Sequence, residues 1–277
     1  MAELVGVFAA SHGPIIARDW ETMPAEHRQK LQAAFGEIGR RLAACRPDLL
    51  VVVSPDHWVN FFINNLPAVC IGIGEEHDGP PEPFMQKVYP HKTLRGHAAF
   101  GRHLLESALT HDFEPALSHR LKLDHGTCIP LWRIGVDVNL PIVPLIVNDL
   151  EEPMPSIPRC LAWGRLLRDA ISSYPQPLRV AVLGTGGLSH SIGESTMGWI
   201  DETFDHACIE HFQNGDDARL AGFLTRELPR TGNGAHEIRD WVVAHAAAGS
   251  KGFELIDYFP SPQTLVGAGF ASWRLSA

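Results

Sequence analysis

Residues 180–190 read VAVLGTGGLSH and join a short apolar run to a glycine-rich turn that ends at a histidine. The run Val180–Leu183 has no alternating polar residues, which is typical of a strand covered on both faces of a sheet. Similar runs recur at Leu4–Ala10, Leu49–Val53, Val69–Ile73 and Ile142–Val147. The five runs are predicted to be strands of one buried sheet.

The segments between these runs have the spacing of helices. Within residues 25–44, apolar side chains recur at three- and four-residue steps, which gives a helix one face to pack on a sheet. Helices are predicted at Ala25–Ala44, Gly96–Thr110, Arg159–Ser173, Ile200–His211 and Ala235–Ala248. Strands that alternate with helices indicate an α/β fold with a mostly parallel central sheet flanked by helices.

Two proline-rich segments, Glu75–His91 and Glu151–Pro158, are predicted to be loops. Neither is long or polar enough to be a domain linker, and the chain shows no internal repeat. Residues 1–277 are therefore expected to form a single catalytic domain, with its site at the carboxyl ends of the strands.

The composition restricts the class of protein. A formal net charge of -9, without clusters of Lys and Arg, argues against a nucleic-acid binder, because phosphate contacts need cations. The five cysteines are dispersed and form no CxxC pair, as expected for reduced thiols in the cytoplasm. Met1–Ala10 lacks the basic start of a signal peptide, and no apolar run is long enough to span a bilayer. We expect a cytoplasmic protein that binds neither nucleic acid nor membrane.

Histidines follow several of the predicted strands at the point where each strand ends. His12 follows the first strand, His57 the second and His190 the last, and His125 has a similar setting before a turn that contains proline. The carboxyl ends of parallel strands open on one edge of a sheet, where ligands bind. A single histidine in such a place is more often a capping or packing residue than a ligand. Four in equivalent places, each beside Gly, Pro, Ser or Asp, favour one shared site.

A carboxylate would complete a metal site with these histidines. Two imidazoles and one carboxylate on one face of an iron ion leave positions open for substrate and O2. Glu237 is one candidate, because Asn233 or Gly234 can cap the helix that follows and place Glu237 in its first turn. The positive end of a helix also favours an acid there without any metal. Spacing alone does not select Glu237 over Asp56, Asp124 or Asp240.

Five short motifs occur in a defined order along the chain. They are SHGP at 11–14, SPDHW at 54–58, DHGT at 124–127, GTGGLSH at 184–190 and HEIRDW at 236–241. In this order they resemble the motifs of the type III extradiol ring-cleavage dioxygenases, a family that includes the catalytic subunit of protocatechuate 4,5-dioxygenase and the 2,3-dihydroxyphenylpropionate enzymes. The resemblance covers nearly the whole chain, and GTGGLSH is its most specific string.

The resemblance implies a function and a role for each of five residues. His12, His57 and Glu237 would bind ferrous iron, Fe(2+). His190 would be the base that deprotonates the substrate, and His125 its acid partner near bound oxygen. The implied reaction inserts both atoms of O2 into a catechol-type aromatic and opens its ring. Two other functions stay open: a non-enzymatic metal-binding protein on the same fold, and a zinc-dependent hydrolase, because two His and one Glu also suit catalytic zinc.

The sequence leaves the substrate and the covering element of the site open. Protocatechuate, gallate, a substituted catechol and 2-aminophenol all carry two adjacent donors, and no Lys or Arg can be assigned to the pocket. Trp58 and Phe61–Phe62 are predicted either to line the pocket or to pack in the core, with core packing favoured, and Cys128 is predicted to be a small buried residue behind the site. A site that handles O2 must exclude water, and Glu75–His91 is the one sizeable loop expected near it. A homo-oligomer is therefore expected to close the pocket, with a small accessory subunit as the alternative.

Overall fold

The computed structural model describes residues 1–275, and within this range the polypeptide is built around an eight-stranded sheet. The strands are β1 (Glu3–Ala10), β2 (Leu49–Ser54), β3 (Val69–Gly72), β4 (Glu76–Asp78), β5 (Thr93–Arg95), β6 (Ala116–Ser118), β7 (Ile142–Val147), β8 (Arg179–Gly184), β9 (Phe253–Ser261) and β10 (Val266–Trp273). Their order across the sheet is β6-β3-β7-β2-β8-β1-β10-β9, while β4 and β5 form a separate two-stranded sheet.

The centre of the large sheet is parallel. β2 pairs in parallel with β7 and β8, β8 pairs in parallel with β1, and β6 lies parallel to β3. Antiparallel pairs are β3 with β7, β1 with β10, and β10 with β9. Gly184 of β8 is level with Ala9 of β1 and with Val53 of β2, so three strand ends meet at one edge. The predicted α/β class with a mostly parallel central sheet is confirmed.

Helices cover both faces of the sheet. In the described residues they are α1 (Pro14–Arg18), α2 (Ala25–Cys45), α3 (Pro83–Gln86), α4 (Ala98–Thr110), α5 (His125–Ile134), α6 (Ile157–Ser173), α7 (Glu202–Asn214), α8 (Asp217–Glu227) and α9 (Ile238–Ala247). Val7 and Ala9 belong to the apolar core that contains α6 and α9, and Phe8 and Ala10 to the core that contains α2. None of these helices combines the length and the apolar character that crossing a bilayer requires.

The five predicted strands and five predicted helices are present, and their ends shift by no more than three residues. The last predicted helix begins differently, because residues Asn233–Glu237 form a 3-10 helix that precedes α9. Glu237 therefore lies at the junction of the two helices, and its predicted position in the first turn of a capped α-helix is wrong.

Two local predictions, made from prolines, were wrong. A side-chain helix cap in one place and strand pairing in the other stabilise regular structure where the prolines suggested turns or loops. Pro130 lies inside α5, where a turn was expected, because Asp124 caps the helix by accepting the N–H of Gly126 at 2.8 Å. Pro130 then removes only one helical hydrogen bond, and the helix continues. Glu75–His91, predicted as a loop, contains β4 and α3.

The hairpin β9–β10 is the largest element that the sequence does not predict. β10 contains Gly267, Ala268, Gly269 and Ala271, and Gly and Ala are poor strand formers. Packing explains this composition, since a Cβ at Gly269 would lie 2.9 Å from the ring of Trp241. The small residues let this fully buried strand pass close to α9.

Candidate metal centre and active site

The ends of β1, β2 and β8 bring three histidines together. His12 follows β1, His57 follows β2, and His190 lies beyond the glycine turn that follows β8. Nε2 of His12 lies 3.4 Å from Nε2 of His57. His12 and His190 are buried and His57 is half-buried. Parallel strands with level ends thus gather side chains that lie up to 178 residues apart, from position 12 to position 190.

The carboxylate of Glu237 joins these histidines. Its Oε1 lies 3.4 Å from Nε2 of His57, and its Oε2 lies 3.6 Å from Nε2 of His12. Two atoms that each lie about 2.1 Å from one ion are at most about 4.2 Å apart. The two nitrogens and the carboxylate therefore fit the coordination of a single metal ion.

Asp124 holds the ring of His57. Its Oδ2 accepts the backbone N–H of His57 at 2.6 Å and lies 3.1 Å from Nδ1 of the same residue. A carboxylate accepts, so Nδ1 carries the proton and Nε2 keeps a lone pair that faces Glu237. A carboxylate behind a histidine in this way orients metal ligands and makes them more basic.

The glycine turn after β8 positions His12 and Glu237. The N–H of Gly186 donates to Nδ1 of His12 at 2.9 Å, and the N–H of Gly187 donates to Oε2 of Glu237 at 3.0 Å. Gly186 has a φ of 95°, and a Cβ there would lie 2.8 Å from Cβ of Glu237. Only glycine satisfies both conditions. This hydrogen bond fixes the ring of His12 with Nδ1 towards the glycine turn and Nε2 towards His57 and Glu237.

His190 has a defined tautomer. Its Nδ1 lies 3.0 Å from the carbonyl oxygen of Leu188, which can only accept, so Nδ1 carries the proton and Nε2 is free. Nε2 lies 3.6 Å from Oε1 of Glu237. A Cβ at Gly234 would lie 2.1 Å from this nitrogen, so the ring occupies space that only a glycine leaves. His190 is thus built to accept a proton at Nε2.

His125 begins α5 and lies against His57, with ring centroids 4.1 Å apart. Oε1 of Glu82 accepts its backbone N–H at 3.0 Å and lies 2.8 Å from its Nδ1. Nitrogens of His12, His57 and His125 also lie within 4.8 Å of one another, so distance alone admits a three-histidine metal site. The set with Glu237 contains a negative charge, which a divalent cation needs, and this charge favours it over three neutral histidines.

The five predicted site residues face one cavity of about 340 Å³. Its lining consists of His12, Gly13, Pro14, His57, Trp58, His125, Leu150, His190, Ile192, Asn233, Gly234, Glu237, Thr264, Leu265 and Val266. Trp58 lines the cavity and is 37% exposed, so the pocket alternative holds for it. Phe61 packs against the core as favoured, whereas Phe62 is 52% exposed and does neither. Cys128 is fully buried, as predicted.

The other acids considered as ligands have different surroundings. The carboxylate of Asp56 accepts the backbone N–H groups of Val59, Asn60 and Phe61, which shapes the turn after β2. Both oxygens of Asp240 are buried and have no hydrogen-bond partner in the described residues. Burial, with the nearby charges of Asp149 and Glu237, raises the pKa of Asp240 well above its usual value. Neither acid lines the cavity.

Comparison with known proteins agrees with this geometry. The family described as the catalytic LigB subunit of aromatic ring-opening dioxygenase matches residues 6–269. The chain belongs to this LigB family.

Two relatives are named 2,3-dihydroxyphenylpropionate/2,3-dihydroxicinnamic acid 1,2-dioxygenase. The protein from Paraburkholderia phymatum is 28% identical and aligns with 83% of this chain and 85% of its own length. The protein from Mycolicibacterium paratuberculosis is 28% identical, with 94% and 95% covered. The crystal structure of an uncharacterized protein from Escherichia coli K12 has a TM-score of 0.64 at 15% identity, and the match covers 96% of this chain and 99% of that one. This structural likeness concerns the fold alone.

This LigB-family protein is an extradiol ring-cleavage dioxygenase, which acts on an aromatic substrate with O2 and needs a metal cofactor. The charge states of its site suit a cation. Burial lowers the pKa of His12 to about 3, despite the opposing attraction of Glu237, so this ring is neutral near pH 7. Burial by itself raises the pKa of Glu237, but its interactions with His12 and His190 outweigh burial and hold the pKa well below its usual value. A neutral imidazole and an ionised carboxylate are the forms that bind metals.

The pKa values of the other candidate histidine ligand, His57, and of the candidate base, His190, are shifted by neighbouring acids. Burial lowers the pKa of His57, but Asp124 and Glu237 together outweigh burial and raise this pKa well above its usual value, so a metal ion at Nε2 would compete with a proton. Burial likewise lowers the pKa of His190, and Glu237 outweighs it and raises the pKa. A raised pKa makes Nε2 of His190 a better proton acceptor in the dioxygenase.

Glu82 and Leu265 are residues of the dioxygenase site that the sequence does not identify. Glu82 lies between Pro81 and Pro83, and a lone acid enclosed by prolines is the one feature that could have drawn attention to it. Leu265 lies in the turn between β9 and β10 and carries no motif. Both reach the site through contacts between distant parts of the chain.

Proposed function

We propose that residues 1–277 form one catalytic domain that uses Fe(II) to cleave the ring of a catechol-type aromatic, with His12, His57 and Glu237 as the metal ligands. The observation that carries the proposal is the set of distances, 3.4–3.6 Å, that separate Nε2 of His12, Nε2 of His57 and the two carboxylate oxygens of Glu237 in the cavity lining. Two imidazoles and a carboxylate on one face are the donor set typical of non-haem Fe(II) oxygenases. When bound, the iron supplies open positions for both substrate oxygens and O2 and transfers electrons between them.

The protein's own groups move protons and exclude water. His190 takes a phenolic proton at Nε2, the nitrogen left free by the hydrogen bond from Nδ1 to Leu188. A positioned base of this kind contributes about 10²–10⁴-fold in rate. His125, held by Glu82, is the acid partner that returns a proton to the reacting oxygen. The apolar lining around these groups keeps bulk water away from reactive species.

The test is O2 uptake by anaerobically purified, ferrous-loaded protein with protocatechuate, gallate, 3-methylcatechol and 2-aminophenol. We expect stoichiometric O2 consumption and a yellow ring-cleaved product with at least one of them. Metal analysis of the same preparation separates iron from zinc and so from a zinc-dependent hydrolase. Absence of O2 uptake with all four compounds by iron-replete protein would favour a non-enzymatic metal-binding protein and contradict the proposal.

We also propose that a second copy of the chain closes the pocket in the cytoplasm. Large apolar side chains are exposed in the segment that follows His190: Ile192, which also lines the cavity, is 43% exposed, Met197 53% and Trp199 43%. Exposed apolar patches of this kind mark interfaces. All five cysteines are free, as expected in a reducing compartment.

Light scattering paired with an activity assay tests the oligomer. We expect a dimer or larger assembly at assay concentration. A monomer that is fully active without an added accessory subunit would contradict the proposal, and a monomer that requires one would favour the alternative.

A further inference from the structure

The cavity lacks cationic residues. None of the described residues that line it is Lys or Arg. Arg239 is close to Glu237 in the sequence, but its Nε donates to the carbonyl of Pro155 at 2.9 Å and its Nη1 to the carbonyl of His236 at 3.0 Å. This guanidinium is buried and does not line the cavity.

The neutral polar side chains of the lining are already engaged. Asn233 accepts the N–H of Ile192 through Oδ1 and donates to the carbonyl of Ile192 through Nδ2, each at 2.9 Å. The hydroxyl of Thr264 donates to Oγ of Ser261 at 2.6 Å. Thr264 has no donor left, and Asn233 keeps one neutral N–H, which does not supply the charge that an anionic substituent of a substrate needs.

The histidines of the site provide no unbalanced positive charge, because an acid lies beside each of them: Asp124 at His57, Glu82 at His125 and Glu237 at His190. His190 must be neutral to accept a phenolic proton at Nε2, and Nδ1 of His125 lies 2.8 Å from the carboxylate of Glu82. Glu237, Asp124 and Glu82 are acids at or directly behind the site. A substrate carboxylate in this cavity would lose its hydration without gaining a cationic side chain as partner, which is unfavourable.

The rest of the lining is an apolar wall formed by Trp58, Leu150, Ile192, Leu265 and Val266. Trp58 has a φ of 58° and Leu265 a φ of 61°, which is the left-handed region that bulky residues rarely adopt. Strained backbone of this kind persists where the surroundings hold a side chain in a required place, commonly at functional sites. Both strained residues present large apolar side chains to the cavity.

From these observations we propose that the substrate is an uncharged catechol whose ring carries an apolar substituent, and that the apolar wall binds this substituent. The proposal rests on the proposed ring-cleavage function and specifies its substrate class. It separates this chain from an enzyme that selects a substrate by its carboxylate.

Matched substrate pairs test the proposal in the ferrous-loaded full chain. The pairs are 3-methylcatechol with 2,3-dihydroxybenzoate, 4-methylcatechol with protocatechuate, and 3-propylcatechol with 3-(2,3-dihydroxyphenyl)propionate. In every pair that is cleaved, we expect kcat/KM of the alkyl member to exceed that of the carboxylate by about tenfold, the size of effect that an unpaired charge easily produces. Anaerobic calorimetry should give the same order of affinities without turnover.

If kcat/KM of the alkyl member exceeded that of the carboxylate member by less than about threefold in any cleaved pair, the proposed substrate class would be wrong. The ring-cleavage function would still stand. If none of the compounds in these pairs is cleaved, the proposed function is refuted, and this inference with it. The two failures are therefore distinguishable.

Ile192→Arg is a second test, because this side chain lines the cavity and is 43% exposed, so the variant is expected to fold. The added guanidinium should raise kcat/KM for the carboxylate members relative to the alkyl members by about fivefold or more, in the range of a charge-assisted pair. Ile192→Gln, of similar length and no charge, is the control and should leave the ratio near that of the wild type. If the ratio of kcat/KM values for carboxylate and alkyl substrates were unchanged in Ile192→Arg, the lack of a cation in the cavity would not be what disfavours carboxylate substrates. That result would contradict the proposal.

Discussion

The two walls of the cavity are built on different principles. The polar wall comprises His12, His57, His190 and Glu237. Each of these side chains forms a hydrogen bond with a buried partner that holds it in place. The apolar wall is partly exposed and makes nonpolar contacts, with two residues in left-handed backbone. Substitutions in the apolar wall can therefore change which ring is bound without moving the groups that perform the chemistry.

The strongest way to break the polar wall is to remove a metal ligand. His12→Ala, His57→Ala and Glu237→Ala are each expected to remain folded and to lose more than about 100-fold in iron affinity, since even residues behind a ligand contribute about 10–100-fold. Iron content after anaerobic gel filtration, with circular dichroism for folding, measures this. His119→Ala, at an exposed position, is the matched control. Full iron occupancy in any of the three variants would remove that residue from the site.

The proton-transfer histidines should separate turnover from metal binding. His190→Ala and His125→Ala are expected to keep iron and to lose about 10²–10⁴-fold in kcat, because neither is assigned as a ligand. Iron content and O2 uptake are measured on the same samples. If His190→Ala lost iron while Glu237→Ala retained it, the roles of ligand and base would be reversed.

Gly234→Ala tests whether the ring of His190 needs the space beside it. A Cβ there would lie 2.1 Å from Nε2 of His190, so the ring must move, and a displacement of about 1 Å can cost about 10²-fold in rate. Iron content should be unchanged. Gly222→Ala is the matched control, because a Cβ at Gly222 meets no described atom within 4 Å. Equal kcat values in the two variants would show that the base tolerates displacement.

The smallest expected effect concerns the apolar wall. Leu265→Gly relieves left-handed backbone but removes apolar contact worth about 1 kcal/mol, so kcat/KM for 3-propylcatechol should fall about fivefold. Iron content should stay at the wild-type level, and Leu265→Met, which keeps the apolar bulk, should change little. Loss of iron in Leu265→Gly would mean that the two walls are not independent.

The residues of the polar wall can be predicted from the sequence much better than those of the apolar wall. His12, His57 and His190 could be identified because continuous apolar runs mark buried strands, and the ends of parallel strands meet. Glu237 could be selected only by resemblance, because the position of its carboxylate in the site depends on how the 3-10 helix Asn233–Glu237 packs against the glycine turn. Leu265 could not be predicted, since the hairpin that carries it is rich in Gly and Ala for reasons of packing, not of strand propensity.

The place of β1 in the sheet has a consequence for biosynthesis. Among the described strands β1 is made first, yet its neighbours are β8, at residues 179–184, and β10, at residues 266–273. A nascent chain therefore carries an apolar strand with unpaired edges through most of translation, a state that is prone to association and suited to chaperone binding. His12 meets Glu237 only when these late segments have docked. Metal loading at the proposed site must then follow synthesis of the late strands, so the metal supply matters to the completed chain and not to the ribosome-bound one.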